Sequence, residues 1–301
     1  MLQSNTPSKI AVFGNNYQAE KSQYAARIIA ALQTQSVRVQ VENRFAEFLN
    51  KHHASLLKNV QPFETFEADC CEADLVVSVG GDGTFLNTVE QLGRKRVPIL
   101  GVNTGRLGFL ADVSPNDIED AMACVVRGTY EVQQRSLIEV SIEERELGIR
   151  PYALNEVALL KHDNSSLIEI STLVDGQLLT NYLADGLIIC TPTGSTGYSL
   201  SVGGPVLEPV SATFCLSPVA AHSLTMRPMV LPDDVEIDLC VRSRSGSFLL
   251  ALDGRNQSLP EGTHVHLRRA NFTQPVVKIQ GQNFFRTLRE KLMWGKDQRN
   301  T

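Results

Sequence analysis

Residues 74–87 read DLVVSVGGDGTFLN, an apolar strand joined to a helix through Gly80, Gly81 and Gly83, with Asp82 set among them. Glycine puts no Cβ in a ligand's way and lets the backbone turn its amides toward an anion. A helix beginning near Thr84 adds N–H groups without intrahelical partners and the positive end of its dipole, and both favour phosphate oxygens. A carboxylate repels phosphate, so Asp82 implies a further role, either binding a bridging cation, taking a proton from an attacking hydroxyl, or both. The chemistry indicated is phosphoryl transfer. Neither GxxxxGK[ST] nor GxGxxG stands at this strand end, which argues against P-loop and ordinary dehydrogenase arrangements. A tight βα turn with an acid at a helix N-terminus remains the plain alternative.

A second cluster repeats this logic. Residues 184–201, ADGLIICTPTGSTGYSLS, feed an apolar strand into a loop rich in glycine and hydroxyls. Gly194 and Gly197 permit close approach, while Thr193, Ser195 and Thr196 offer donors and caps for a short helix, so the loop could hold a ribose or a phosphate. The alternative is a turn whose hydroxyls bond their own backbone. Asn155 and Glu156 interrupt the apolar run 152–160 and, as neighbours on a strand, are expected to point to opposite faces, one of them toward a buried site. An asparagine amide matches the donor and acceptor edge of adenine, and a carboxylate can accept from ribose hydroxyls or join a metal; a solvated strand end is the other reading. His264 and His266 share a strand face and are expected to be exposed rather than to hold a metal.

These motifs need a scaffold that brings strand ends together. In the first third, residues 9–14, 37–41, 74–79 and 97–102 are strand-like and residues 19–35 carry a helical stripe. Apolar strands separated by helices predict a parallel sheet with ligands beyond its carboxyl edge, where 80–84 and 103–109 both fall. Ser114 followed by Pro115 starts a helix with Ile118, Met122 and Val125 as its stripe and Gly128 as its stop, expected to bridge two domains. From residue 130 to about 279 the period becomes two, with turns at 174–177 and 231–234, which predicts a β-rich domain. Asn283 caps a last helix that ends near Gly295. The expected architecture is an α/β N-terminal domain with a parallel sheet (1–128), a β-rich C-terminal domain (129–280) and a terminal helix (281–301) packing back on the first domain.

The chain has 301 residues, 43% hydrophobic and 20% charged, with a net charge of -5, values that fit a soluble two-domain protein and oppose nonspecific nucleic-acid binding. No apolar run reaches the length of a membrane span, so a cytoplasmic location is expected. Six cysteines lack CxxC or Cys/His ligand spacing and read as reduced thiols. The Arg94-Lys95-Arg96 cluster reads as a solvated helix end rather than a phosphate clamp.

Taken together, the motifs GGDGT (80–84), 103–109, Asn155-Glu156, Ala184-Asp185-Gly186, 191–201 with Gly203-Gly204-Pro205, and His222-Ser223-Leu224 with Arg227-Pro228 resemble the NAD kinase family from about residue 9 to 292. The first motif is shared with lipid kinases and phosphofructokinases; the others together are similar to NAD kinases alone. The resemblance implies transfer of the γ-phosphate of ATP to the 2′-hydroxyl of the adenosine ribose of NAD, with a divalent cation such as Mg²⁺ and with metal ligands unassigned. It implies Asp82 as the catalytic base and substrate contacts at Gly83, Asn155, Glu156, Ser166, Leu183, Asp185, Thr196, Gly197, Tyr198, Ser199, Leu200, Ser201 and, less directly, Arg255. It also implies a homo-oligomer, dimer or tetramer. Leu183 stands where some relatives carry a basic residue and Gly197 where many carry alanine, which leaves open NAD against NADH and ATP against polyphosphate. A noncatalytic NAD(P) sensor and a lipid kinase of the same superfamily are the competing readings.

Overall fold

The protein is described by a computed structural model covering residues 6–35, 37–58, 60–105, 107–143, 146–162 and 166–295. The chain divides into two compact units, one of residues 1–134 with 275–301 and the other of residues 135–274.

The first unit contains strands β1 (Lys9–Gly14), β2 (Arg38–Glu42), β3 (Glu64–Phe66), β4 (Leu75–Val79), β5 (Ile99–Val102), β6 (Ala111–Val113) and β7 (Tyr130–Arg135). Its helices are α1 (Ala19–Ser22), α2 (Ala25–Gln33), α3 (Asn43–Leu57), α4 (Asp82–Leu92) and α5 (Ile118–Val126). The order across the sheet is β3-β2-β1-β4-β5, followed by β20 (Gln274–Ile279) and β7, with β6 paired to β5. The pairs from β3 to β5 are parallel. The strands are parallel because their residues are apolar on both faces: β4 and β5 are buried throughout, and α2 seals one face with Ala25, Ile28, Ile29 and Leu32. From β1 the chain winds outward to β2 and β3, then returns to the other side as β4 and β5. The carboxyl ends of β1 and β4 therefore flank the point where the winding reverses, the place where such sheets open a crevice.

Several expectations change in detail. The stripe at 19–35 is two helices, broken where buried Ser22 donates to the Ala19 carbonyl at 2.9 Å. The α4 helix begins at Asp82, two residues before the expected start, which places the carboxylate in the first helical turn. The α5 helix is no bridge: Ile118, Ala121, Met122 and Val125 enter the first unit's core, and Glu119 forms a two-pronged pair with Arg27 of α2. A helix so apolar along one stripe gains more by burial than by spanning solvent. Strand β7 and strand β20 complete the first sheet, so this unit reaches residue 134 and reclaims the chain from residue 275. Terminal helix α7 (Phe284–Leu292) is started by the Asn283 side chain, which accepts from Arg286 N at 2.9 Å. It meets the first unit through Phe284 against Phe109, with ring centroids 6.1 Å apart.

The second unit is built from antiparallel ladders. One sheet contains β10 (Glu156–Lys161), β13 (Gly186–Cys190), β14 (Thr213–Val219), β15 (Met229–Pro232), β17 (Ser247–Leu252) and β18 (Arg255–Pro260). The other contains β8 (Ile138–Ile142), β9 (Tyr152–Ala153), β11 (Ile168–Val174), β12 (Gln177–Ala184), β16 (Ile237–Arg242) and β19 (His264–Arg269). Inward residues of both sheets, among them Val157, Ile189, Phe214 and Leu250 from one and Val140, Ile170, Leu239 and Val265 from the other, form a single core. Asp175 and Gly176 turn β11 into β12 with φ of 49° and 73°, the left-handed pair that a two-residue hairpin requires. Helix α6 (Tyr198–Ser201) follows β13 through a short 3₁₀ turn at Thr193–Thr196. All six cysteines are free thiols.

Candidate active site

The GGDG turn leaves the carboxyl end of β4 with Gly80 pressed against Thr84, whose Oγ1 would lie 2.2 Å from any Cβ at position 80. Gly81 and Gly83 have the opposite character: a Cβ on either would meet nothing within 4 Å, so this side of the turn is open to a ligand. Asp82 Oδ1 accepts from Leu110 N at 3.0 Å and Ala111 N at 3.1 Å, and Oδ2 accepts from Phe109 N at 2.9 Å. Gly108 is required for this clasp, because a Cβ there would lie 2.1 Å from Asp82 Oδ1. A fourth donor, Lys291 Nζ of α7, stands 3.4 Å from Oδ2 and 4.6 Å from the Phe109 ring centre. The second glycine-bearing loop, residues 103–109, thus reaches the first through the Phe109 amide, and Leu110 and Ala111 beyond it supply the other two; Arg106 within the loop lies outside the described residues.

Behind the clasp, β6 carries Asp112, whose carboxylate pairs with Lys278 of β20 at 2.6 Å with both side chains under 10% exposed. Across the winding reversal, the loop after β1 and the GGDG turn border a cleft of about 400 Å³ lined by Gly14, Asn15, Asn16, Tyr17, Gly83, Thr84 and their neighbours. Asn15 Oδ1 accepts from Tyr17 N at 2.8 Å and Gln18 N at 2.9 Å, shaping the loop, and the buried Asn16 Oδ1 has no partner among the described residues. A glycine-lined cleft at a helix N-terminus suits a nucleotide's phosphates, while the Asn16 amide oxygen, an acceptor, suits a hydroxyl or amino donor. The Arg94-Lys95-Arg96 cluster stays out of it; Lys95 binds the Asp69 and Cys71 carbonyls.

In the second unit, Asn155 and Glu156 do not take opposite faces. Residues 154 and 155 form a bend before β10, which breaks the two-residue alternation. Both side chains face Gly197, where a Cβ would lie 2.9 Å from Glu156 Oε2 and 3.4 Å from Asn155 Nδ2. Gly194 fits still closer, its missing Cβ 2.1 Å from the Asn155 carbonyl oxygen. Asp253, at the turn between β17 and β18, holds the bend by accepting from Leu154 N, Asn155 N and Glu156 N at 2.7, 2.8 and 3.0 Å. The buried oxygens Asn155 Oδ1 and Glu156 Oε2 have no hydrogen-bond partner among the described residues. Buried polar atoms are normally satisfied, so two adjacent orphan oxygens single this bend out within the unit.

The loop hydroxyls make the backbone bonds that were the second of the two sequence readings. Ser195 Oγ donates to the Pro192 carbonyl at 2.7 Å, Thr196 Oγ1 to the Thr193 carbonyl at 3.4 Å and Ser201 Oγ to the Tyr198 carbonyl at 2.7 Å, while Ser199 Oγ meets Ser217 Oγ at 2.9 Å. None of them caps the short helix. These hydroxyls shape the loop and keep acceptor lone pairs, and beside them Tyr198 is 39% exposed and Leu200 half-buried. Asp185, Leu183 and Ser166 lie elsewhere in this unit: Asp185 pairs with Lys161 at 2.7 Å, and the Ile168–Ala184 ladder pair adjoins the other two, at the end of β13 remote from Cys190 and Glu156. Arg255 commits its guanidinium to the carbonyls of Leu252, Arg150 and Tyr152, so Asp253 is the member of that turn which touches the cluster. Its Asp-Gly sequence signals a hairpin, and only the fold shows which strand bend it serves. His266 sits between Asp238 and Glu143, carboxylates too distant in sequence to be foreseen, yet no group of three His, Cys, Asp or Glu arranged for a metal occurs among the described residues.

Burial first, and the neighbouring Asp253 second, push the Glu156 carboxyl up to about 7, against the opposing pull of the Tyr198 N–H. A raised acid costs stability as pH rises. Below its ordinary value of 4.5 both folded and unfolded chains hold the proton; between 4.5 and about 7 only the folded chain does, and above that the penalty is complete. At ~1.4 kcal/mol per pH unit the loss reaches roughly 3–4 kcal/mol. Glu156→Gln is therefore expected to melt close to the parent at pH 4.5 and above it at pH 8; a melting difference that does not change with pH would show that Glu156 ionises normally.

A glycine-and-aspartate turn on a parallel sheet, joined to a β-rich unit, defines a phosphotransferase of the nucleotide and lipid kinase type. Residues 10–130 match the ATP-NAD kinase N-terminal domain and residues 154–279 the ATP-NAD kinase C-terminal domain. An NAD kinase of Bacteroides fragilis is 49% identical over 291 residues, covering 97% of this chain and 99% of its own; one of Porphyromonas gingivalis is 40% identical, covering 95% and 98%. Among solved structures, yeast NADH kinase complexed with NADH superposes with a TM-score of 0.88 at 26% identity, covering 99% of this chain and 91% of that one. An NAD kinase from Archaeoglobus fulgidus in complex with ATP gives 0.74 at 29%, covering 95% and 98%. The chain belongs to the NAD kinase family.

Proposed function

We propose that this protein transfers the γ-phosphate of ATP to the 2′-hydroxyl of the adenosine ribose of NAD, yielding NADP, with Asp82 as the general base. The observation that carries the reading is Asp82 itself. Three backbone amides fix its carboxylate in the first turn of α4, beside glycines that leave a ligand room. Phosphoryl transfer asks a protein for positioning and charge stabilisation more than covalent chemistry, and this arrangement supplies both. The glycine-lined cleft beside Gly83 and the N-terminus of α4 is suited to the donor's phosphates. In the second unit, Asn155 Oδ1 and the protonated or ionised Glu156 carboxyl are placed to accept or share hydrogens with a nucleoside, and Tyr198 offers an aromatic face for stacking. Gly197, Thr196, Ser199, Leu200 and Ser201 shape that surface. Asp185, Leu183, Ser166 and Arg255 remain substrate-contact candidates on the family resemblance.

A divalent cation, Mg²⁺ in the first instance, belongs to the same reading. Mg²⁺ is usually held by one or two carboxylates, waters and the substrate's phosphates, so the lack of a three-residue ligand group among the described residues fits it. When bound it would neutralise charge on the transferred group. A cytoplasmic homo-oligomer, dimer or tetramer, completes the reading on the resemblance; no helix among the described residues is long and apolar enough to cross a membrane. The sensor and lipid-kinase alternatives gain no support, since the relatives matched over nearly the whole chain are NAD kinases and Asp82 is present. The test is NADP formation by the purified protein from NAD, ATP and Mg²⁺, coupled to an NADP-specific dehydrogenase and repeated with NADH and polyphosphate. Metal-dependent turnover is expected; binding of NAD without turnover would return the sensor reading.

A further inference from the structure

An ionised carboxylate offers about four lone-pair sites. Asp82 fills them: Leu110 N and Ala111 N on Oδ1, Phe109 N and Lys291 Nζ on Oδ2. A base so occupied cannot receive a hydroxyl proton until one donor leaves. The backbone donors cannot leave easily. Gly108 N is tied to the Ala111 carbonyl at 3.1 Å, Ala111 belongs to β6, and β6 lies against Gly101 of β5 so closely that a Cβ there would be 2.6 Å from the Ala111 Cα. Lys291 is different. It stands on the last turn of α7, its side chain about one-third exposed, at the end of a flexible four-carbon stem and at the longest of the four distances. The Phe109 ring holds the ammonium near the carboxylate by a cation–π contact without fixing its hydrogen bonds.

We propose that Lys291 is the exchangeable donor: it occupies Asp82 Oδ2 in the resting protein and passes to an oxygen of the donor's γ-phosphoryl group when the nucleotides bind. The inference rests on the reading of Asp82 as general base. The exchange frees Oδ2 to take the proton of the ribose 2′-hydroxyl. As that proton moves, the 2′-oxygen forms its bond to the γ-phosphorus, the bond from the γ-phosphorus to the β,γ-bridging oxygen breaks, and ADP departs with that electron pair. The ammonium meets the phosphoryl oxygens as their charge redistributes, a role that suits lysine as a compact point charge. The terminal helix thereby becomes a working part of the site: Asn283 starts it, Phe284 seats it on Phe109, and its last turn delivers the cation.

The test compares Lys291→Met, Lys291→Arg and Asp82→Asn in the full chain, with steady-state kinetics, thermal melts and calorimetric NAD binding. Loss of an interaction made in the transition state lowers kcat and leaves KM largely alone. Lys291→Met is expected to lose roughly tenfold or more in kcat, with KM for NAD and melting temperature close to the parent, and Lys291→Arg to recover a substantial part of the loss. A Met variant with parental kcat, or an Arg variant as slow as Met while equally stable, would overturn the inference. Should Asp82→Asn prove inactive while Lys291→Met is fully active, this inference alone fails; should Asp82→Asn be fully active, the general-base reading fails as well.

Discussion

Asp82→Asn is expected to lower kcat by roughly 10²–10⁴-fold, the range that a positioned general base contributes. The substitution keeps the side chain's size and removes its ability to take a proton. It also disturbs the clasp in a definable way. Three backbone N–H groups point at two carboxylate oxygens; an asparagine oxygen can keep Leu110 N and Ala111 N, which leaves the Phe109 N–H facing an amide NH₂. An unmatched donor of this kind costs about 1–3 kcal/mol, so a modest fall in melting temperature accompanies the kinetic loss. The two effects separate experimentally. Calorimetry should find NAD bound nearly as tightly as by the parent, because the orphan oxygens of Asn155 and Glu156 are untouched, while the coupled assay finds little NADP. A variant that turns over at the parental rate would remove Asp82 from the role of base.

Lys278→Met is expected to be the most destabilising single change proposed for the first unit. Lys278 and Asp112 are 8% and 4% exposed at the side chain and pair at 2.6 Å, and Asp112 Oδ1 has no partner among the described residues. Removing the ammonium strands a buried carboxylate, a loss of about 3–5 kcal/mol. At a few degrees per kcal/mol, this corresponds to a melting temperature lower by ~10 °C. Replacing both partners with apolar groups, Lys278→Met with Asp112→Leu, is expected to recover most of that loss, since the desolvation penalty of both charges disappears together. Because β6 carries both Asp112 and the Ala111 amide that holds Asp82, turnover should fall in the single variant and return in the double one. Melts and assays of the two proteins decide the matter: a single variant as stable as the parent would show that the pair contributes nothing.

Much of this arrangement is legible directly in residue order. The apolar strands 9–14 and 74–79, the GGDGT turn between strand and helix, the Asp175-Gly176 hairpin and the Asn283 cap are all local: each depends on torsions, propensities and burial periods within a few residues. For the same reason the two-part architecture, with its parallel sheet followed by antiparallel strands, follows from the burial periods alone. Expectation and structure part where a local signal has more than one tertiary use. The α5 stripe fits a bridging helix or a core helix equally well, and packing against α2 chose the second. Adjacent polar residues on a strand alternate, unless a distant carboxylate such as Asp253 holds the preceding backbone in a bend.

What order along the chain determined, then, was the kind of chemistry and the groups that stand as candidates for it: glycines for close approach, one aspartate among them, and an asparagine–glutamate pair in an apolar run. What tertiary structure decided was the state of those groups. Asp82 is clasped by amides 27 to 29 positions away and by Lys291, 209 positions away. Glu156 is pushed up to about 7 by burial and by Asp253, at the far end of the domain in sequence. The hydroxyls of Ser195, Thr196 and Ser201, which left open ligand contacts or bonds to their own loop, make the loop bonds. The physical reason is common to all three. Residue identity sets which bonds a side chain can make, but desolvation and hydrogen-bond saturation depend on what surrounds it, and those surroundings are assembled from chain segments that periodicity and spacing do not connect.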